Sequence, residues 1–212
     1  MLRETHKFKI IYPKIKEIDE LSYNDIVDKE TIEDKLIKNE SVKLIETVNI
    51  SSCKFENVVF ASHDIINSNL MDIIFENCDL TNLKFINSSI YRVEFINCKL
   101  LGTNFIDTTL DNIYIKESLC NYINIANSKI NNMIIKDSNF RESTFLEVKI
   151  KNLELIDVNL NKSEIINTSL KDIDLTSTNI EGIKTDLNSI KGSTITYIQA
   201  MDLISLLEVK IK

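Results

Sequence analysis

The chain has 212 residues, a formal net charge of −7 and a hydrophobic fraction of 43%, with three glycines and one proline. This composition allows one domain with a substantial core and leaves almost no material for flexible linkers. The negative charge disfavours direct nucleic-acid binding, which depends on neutralising phosphates, and no apolar run approaches the about 18 residues of a membrane span or forms a signal peptide.

Residues 1–47 carry no clear repeat. A charged stretch around Pro13 is followed by Asn24–Asn39, a segment with apolar residues at loosely helical spacing. Those residues are Ile26, Val27, Ile32, Leu36 and Ile37. We therefore predict a short N-terminal cap, helical or irregular, that leads into the next segment.

The stretch from Ile50 to Ile180 has a large apolar residue at nearly every fifth position. A period of five fits neither a helical turn nor a flat strand, so internal repetition is the first feature to explain. Cys120 is the one member of the series that is not Ile, Leu or Phe. The series is Ile50, Phe55, Phe60, Ile65, Leu70, Phe75, Leu80, Phe85, Ile90, Phe95, Leu100, Phe105, Leu110, Ile115, Cys120, Ile125, Ile130, Ile135, Phe140, Phe145, Ile150, Leu155, Leu160, Ile165, Leu170, Leu175 and Ile180.

Each of these residues is the centre of a pentapeptide. The residue two places earlier is mostly small or apolar, and the residue between is usually polar, which describes a short extended piece with in–out–in side chains. The other two residues must turn a corner, and the second of them is often Asn, Asp or Gly, as in Asn77, Asn87 and Gly102. Each pentapeptide is therefore predicted to form one side of a polygonal coil.

A coil of four sides fits the sequence best. At twenty residues per turn, one inward column is wholly large and apolar, whereas a fifteen-residue turn would mix Ile73 with Ser88 and Thr103. About six to seven coils, each rising about 4.8 Å, would form a rod on the order of 30 Å long, with ends that need caps. The apolar column is Ile73, Val93, Ile113, Met133, Leu153 and Ile173.

Four triplets show the same order of residue types, which is a small residue, then Asp or Asn, then a large apolar residue. They are Ser68-Asn69-Leu70, Cys78-Asp79-Leu80, Ser138-Asn139-Phe140 and Thr178-Asn179-Ile180. In this order the sequence resembles the pentapeptide repeat family, whose members fold as right-handed four-sided β-helices. The resemblance implies an all-β solenoid, a right-handed quadrilateral β-helix over residues 48–195, with a short N-terminal cap (residues 1–47) and a C-terminal capping helix and tail (residues 196–212).

The repeat fades after Ile180, and a helix is predicted from about Tyr197 to Leu207. Thr196 and Gln199 have the spacing of a capping box, in which the two side chains satisfy free groups at a helix start. One side of this helix is apolar and is predicted to cover the open end of the coils. The segment resembles the C-terminal segment of bacterial family members, including those that protect DNA gyrase from quinolones, which implies a homodimer. The residues predicted for this end cap or dimer contact are Ile198, Met201, Ile204 and Leu207.

The sequence contains no catalytic constellation and predicts no enzyme, cofactor or metal site. Its only histidines are His6 and His63, and it has no Gly-rich phosphate loop and no Cys-x-x-Cys pair. Reduced core thiols of a cytoplasmic protein are expected, because every cysteine falls in an inward position or at a centre. The cysteines are Cys53, Cys78, Cys98 and Cys120.

Two surface features are candidate partner sites. The side centred on Phe75 and Phe95 carries eight acids against three lysines. This predicted acidic face includes Glu76, Glu94, Glu117, Asp137, Glu154, Asp157 and Asp174. On the opposite side, the first corner residues form an apolar stripe, which either folds against the wall or binds a partner. The stripe consists of Ile66, Ile86, Ile106, Leu146 and Ile166, with Ala126 between them.

Two functions are consistent with these features. The first is a non-enzymatic binding or scaffold protein with an unknown protein partner. The alternative is a DNA mimic that binds DNA gyrase or topoisomerase IV and modulates quinolone sensitivity, which the resemblance and the acidic face favour. Against the alternative, the unbroken five-residue phase leaves no room for the projecting loops of some protective family members, and Lys116 and Lys136 interrupt the acidic face.

Overall fold

The computed structural model describes residues 6–22 and 30–207, with only the backbone described at residues 205 and 207. The chain is a parallel β-solenoid of about 8 turns. The helices of the described residues are α1 (Leu187–Ile190) and α2 (Tyr197–Leu203), and α2 continues into a 3-10 turn at Ile204–Leu207. None of the helices in this part of the chain is long or apolar enough to cross a membrane.

The strands are short and all pair in parallel. They are β1 (Asp19–Glu20), β2 (Thr31–Glu33), β3 (Lys35–Lys38), β4 (Ser41–Val42), β5 (Asn49–Glu56), β6 (Val59–Phe60), β7 (Asp64–Ile66), β8 (Asn69–Glu76), β9 (Lys84–Ile86), β10 (Ser89–Ile96), β11 (Asn104–Ile106), β12 (Thr109–Lys116), β13 (Asn124–Ala126), β14 (Lys129–Lys136), β15 (Thr144–Leu146), β16 (Lys149–Ile156), β17 (Glu164–Ile166) and β18 (Lys184–Thr185).

The predicted twenty-residue turn is confirmed by the pairing register. Val93 lies beside Ile73 on one side and beside Ile113 on the other, so the apolar column forms a single line. From β5 onward, each eight-residue strand bends through a corner and covers two sides of the coil, and each three-residue strand covers a third side. Single bridging residues, such as Asp79 and Lys99, form the fourth side.

The interior is filled by stacked rungs of like side chains. Every predicted centre is buried except Ile150, which is partly exposed. Phe55, Phe75 and Phe95 form a stack with ring centroids 5.1 Å apart in each step. Because equivalent positions in successive coils carry the same type of residue, like side chains pack against one another along the solenoid axis.

The small inward column has a polar role as well as a steric one. The Thr108 N–H donates to Ser128 Oγ at 3.0 Å, and the Ser128 hydroxyl donates to the Phe105 carbonyl at 3.2 Å. A serine or threonine at this position therefore satisfies backbone groups near the corner, where unpaired groups would be costly.

The corners explain the preference for Asn, Asp and Gly. The second corner residue has a positive φ in most coils, for example 54° at Asn77 and 63° at Gly102. This left-handed region favours residues without bulk near the backbone. At Gly102 a Cβ would lie only 2.6 Å from Asn82 Oδ1, so any other residue there would make the Asn82 side chain move.

The N-terminal segment differs from the predicted helical or irregular cap. The strands β2 and β3 pair with β5, and Ile32 and Ile37 lie beside Ile50 and Phe55. This first coil has eighteen residues instead of twenty, which shifts the five-residue phase and hides the repeat in the sequence. Strand pairing therefore begins before residue 48, while the division of the chain at residues 47 and 195 itself stays a prediction. The predicted segment also included Ile26 and Val27, which lie outside the described residues.

The predicted C-terminal capping box is present. The Gln199 N–H donates to Thr196 Oγ1 at 3.2 Å, and the Thr196 N–H donates to Gln199 Oε1 at 2.8 Å. The Gln199 amide also donates to the carbonyls of Leu175 and Thr178, each at 2.7 Å. The helix thus covers the last coil partly by binding backbone carbonyls of that coil.

Candidate binding surfaces

Residues 6–16, here called the N-terminal strap, run along the outside of the solenoid. The N–H groups of Ile11, Lys14 and Lys16 donate to side-chain oxygens of Asn112, Asp72 and Ser52 at 2.8, 2.8 and 3.1 Å. These acceptors are second corner residues of a single edge. From Glu154 to Ser52 the strap crosses five coils, about 24 Å.

The strap side chains that face the solenoid pack against the outer surface of the wall beside this edge. His6 Nδ1 lies 3.1 Å from Glu154 Oε2, and the ring of Tyr12 packs edge-on against Tyr114 at 5.8 Å. Ile134 has an outward position in its pentapeptide and is nonetheless fully buried, because the strap passes over its coil. The only signal in the sequence was the alternation of His6, Phe8 and Ile10 with lysines, which is typical of an extended segment with one buried face.

The strap changes the predicted acidic face. Glu154 is buried beneath it, and Asp174 Oδ2 lies 3.1 Å from Lys7 Nζ. Hydrogen bonds from the Thr176 hydroxyl and N–H, together with Lys7, lower the pKa of Asp174 to about 2.

The other residues of the acidic face are only partly free. Glu76 pairs with Lys54 at 2.6 Å, Glu117 pairs with Lys116 at 3.1 Å, and Glu94 is half-buried. Asp137 and Asp157 stay exposed at the corner. The acids that the sequence grouped on one side therefore do not form one continuous exposed surface.

The predicted apolar stripe is continuous but shallow. The register places Ile66, Ile86, Ile106, Ala126, Leu146 and Ile166 one above the other. Ala126 is buried, Leu146 is exposed and the four isoleucines are half-buried. Much of each side chain therefore folds against the wall.

The C-terminal end carries the two most exposed large apolar side chains of the described residues, Tyr197 and Ile198, which are 87% and 79% exposed. Met201, on the same helix, is 52% exposed. The end coil is covered by Gln199 and by Leu203, which packs against the core. Ile204 is half-buried, and the side chain of Leu207 lies outside the described residues.

The cysteines are free thiols in the core. Burial raises the pKa of Cys53 to about 11 and also raises the pKa of Cys120. Both thiols are therefore protonated at neutral pH and belong to the packing. Among residues 6–22 and 30–207, no group of three or more His, Cys, Asp or Glu side chains is arranged to hold a metal ion.

A comparison with protein-family models agrees with the five-residue repeat. The family model described as a pentapeptide repeat region matches residues 45–125 and 68–145. Full-length QnrB1, a plasmid-mediated fluoroquinolone resistance protein, is similar at 14% identity and a TM-score of 0.35, over 90% of this chain and 95% of that chain. HetL, involved in heterocyst differentiation regulation in the cyanobacterium Nostoc sp. strain PCC 7120, is similar at 11% identity and a TM-score of 0.34, over 77% and 86%. No curated protein sequence matches the chain.

Proposed function

The chain belongs to the pentapeptide repeat family, and we propose that it is a non-catalytic cytoplasmic scaffold that pairs with a second copy of itself and binds a protein partner. The uniform coils place their packing residues inside, so recognition depends on the walls and the two ends. The observation that carries the proposal is the cluster of exposed apolar side chains at the C-terminal end.

These exposed side chains fit an interface between two copies. Tyr197, Ile198 and Met201 lie on α2, which is already fixed to the last coil through Gln199. Burying water-exposed apolar groups of a rigid helix against a partner lowers the free energy. A two-fold axis through this end would bring the same three residues from each copy together, as in most symmetric dimers.

Replacing Ile198 and Met201 with glutamate is expected to dissociate the dimer. Each substitution removes apolar burial twice in a two-fold interface, and the two together place four carboxylates near one another, so the dissociation constant should rise at least about tenfold. Light scattering coupled to gel filtration, over a range of protein concentrations, measures this directly.

The matched control replaces Val59 and Leu119 with glutamate. These residues are also exposed and apolar, but they lie on a wall far from α2. The control should keep the mass of the wild-type chain. A wild-type chain that is monomeric at high concentration, or a control that dissociates equally, contradicts the proposed interface.

A DNA mimic remains the second candidate function. The corner column Glu117, Asp137 and Asp157 favours it, because these carboxylates stay exposed and are spaced by about 4.8 Å per coil. The strap disfavours it, since it buries Glu154 and adds lysines to the same side. We therefore rank this function below the scaffold.

A supercoiling assay with purified DNA gyrase tests the DNA-mimic hypothesis. On that hypothesis the chain binds gyrase and shifts quinolone inhibition, and replacing Asp137 and Asp157 with asparagine weakens the effect about tenfold, because charge complementarity carries the contact. A chain that neither binds gyrase nor changes supercoiling or its inhibition eliminates this candidate.

A further inference from the structure

Five exposed lysines share one side of the solenoid in its C-terminal half. They stand directly before or after the centres Ile130, Ile150, Leu170 and Ile190. We call them the lysine wall, and they are Lys129, Lys149, Lys151, Lys171 and Lys191. Lys129 and Lys149 are direct partners in the pairing of β14 with β16. The Asp172 N–H donates to the Gly192 carbonyl at 3.0 Å, which places Lys171 and Lys191 in neighbouring coils.

These lysines differ from several basic residues of the other walls. Three lysines there have an acid in the preceding or following coil: Lys54 with Glu76 at 2.6 Å, Lys84 with Asp64 at 2.9 Å, and Lys99 with Asp79 at 3.7 Å. In the described part of the chain, no residue of the lysine wall forms such an ion pair. Among the outward residues of this side from 129 to 192, Asp172 is the only carboxylate.

The arrangement is unfavourable in the isolated protein. Like charges that face each other across a ladder destabilise it, and here the neighbouring coils are about 4.8 Å apart. The same arrangement becomes favourable when an anionic ligand covers it, because a field of one sign attracts the opposite charge.

We propose that the lysine wall binds an extended acidic segment of a partner protein. The two columns of lysines are two residues apart along the strand, so the wall measures about 15 Å by 7 Å, a size that suits a short strand with several carboxylates. Nucleic acid fits less well. Between residues 129 and 192 the outward residues of this side carry no aromatic ring for stacking bases, and five cations offer fewer phosphate contacts than duplex binders use.

The inference deepens the proposed scaffold function by naming one class of partner. The lysine wall and the apolar C-terminal end are different surfaces, so the proposal for one can be wrong while the proposal for the other is right. Self-association is measured without any acidic ligand, and binding of an acidic ligand is measured on the Ile198→Glu, Met201→Glu variant as well as on the wild-type chain.

The test uses the full chain and a fluorescent poly-L-glutamate of about twenty residues, with binding measured by fluorescence anisotropy at low and physiological salt. The variant replaces Lys149, Lys151 and Lys171 with glutamine. The control replaces Lys54, Lys84 and Lys99 with glutamine and changes the net charge equally. We expect at least tenfold weaker binding for the variant and less than a twofold change for the control.

Two further readouts complete the experiment. Thermal melting of the variant should show a temperature equal to or above that of the wild-type chain, because the substitutions relieve repulsion; a lower melting temperature overturns the like-charge argument. A single-stranded oligothymidine of the same charge should bind more weakly than poly-L-glutamate. Tighter binding of the oligothymidine, no binding of poly-L-glutamate, or an equal loss in the control overturns the proposal.

Discussion

Replacing Phe75 with alanine is expected to lower the free energy of unfolding by about 3–5 kcal/mol. Phe75 is fully buried and stacks on Phe55 and Phe95 at 5.1 Å each, with the edge of Phe60 at 5.7 Å. Truncation leaves a cavity between two stiff coils that cannot collapse, because backbone pairing holds them at a fixed distance. In a solenoid each coil contacts only its neighbours, so removing the Phe75 ring breaks the continuous packing between the coils on either side.

Urea unfolding followed by circular dichroism measures this loss. Tyr122→Ala is the matched control, because Tyr122 is a largely exposed aromatic residue at a corner. Its substitution should change the free energy of unfolding by less than about 0.5 kcal/mol. Similar losses for the two variants would contradict a core built on the phenylalanine stack.

The solenoid could be predicted from the sequence because its rule is local and repeated. A large apolar residue at every fifth position and a uniform column such as Ile73, Val93 and Ile113 are visible without any knowledge of long-range contacts. The register then follows from chemistry, since only a twenty-residue turn stacks like on like. Resemblance to a known family added the right-handed sense of the coil.

The first coil escaped prediction although part of its signal was present. Ile32, Ile37 and Val42 keep the period of five and are buried in the core. Val42 pairs with Phe60, eighteen residues later, so the coil is two residues short and its phase does not match the series from Ile50 onward. A pattern search that requires one continuous phase misses such a coil.

The strap could not be predicted because its contacts do not repeat. Ile11 and Asn112 are 101 residues apart, and each anchoring contact uses a different acceptor group. The acidic face was predicted on the assumption of an uncovered wall, and a terminal segment of eleven residues is enough to cover it. The position of a charged residue in the repeat therefore predicts the wall on which it lies, but not whether another segment covers it.

Replacing Asp72 with alanine is expected to lower the free energy of unfolding by about 2–4 kcal/mol and to release the strap. Both oxygens of Asp72 bind the guanidinium of Arg92, and Oδ1 also accepts the Lys14 N–H at 2.8 Å. The side chains of Asp72 and Arg92 are only 10% and 14% exposed. The substitution therefore leaves a nearly buried cation and a strap N–H without their acceptor.

Unfolding in urea gives the stability, and the rate of tryptic cleavage after Lys14 reports release of the strap. The control is Asp79→Ala, which removes an aspartate that also faces a base one coil later, Lys99 at 3.7 Å. The side chains of that pair are 30% and 58% exposed, so its loss should cost less than about 1 kcal/mol and leave the strap protected. Equal effects of the two substitutions would mean that Asp72 does not stabilise the fold or hold the strap more than an ordinary surface aspartate does.

The dependence of this difference on pH identifies the carboxylate as its cause. Burial by itself would raise the pKa of Asp72, but the hydrogen bonds from Arg92 and the Lys14 N–H outweigh it and hold the pKa below its usual value. Because the pKa is lower in the folded chain than in the unfolded chain, the stabilisation is complete above the unfolded value of about 3.9 and is lost as the pH falls through the folded value. The gap in stability between the wild-type chain and Asp72→Ala should therefore stay constant from pH 7 to pH 5 and narrow below about pH 4. A difference in the free energy of unfolding that stays unchanged in acid would mean that Asp72 stabilises the chain through packing and not through its charge.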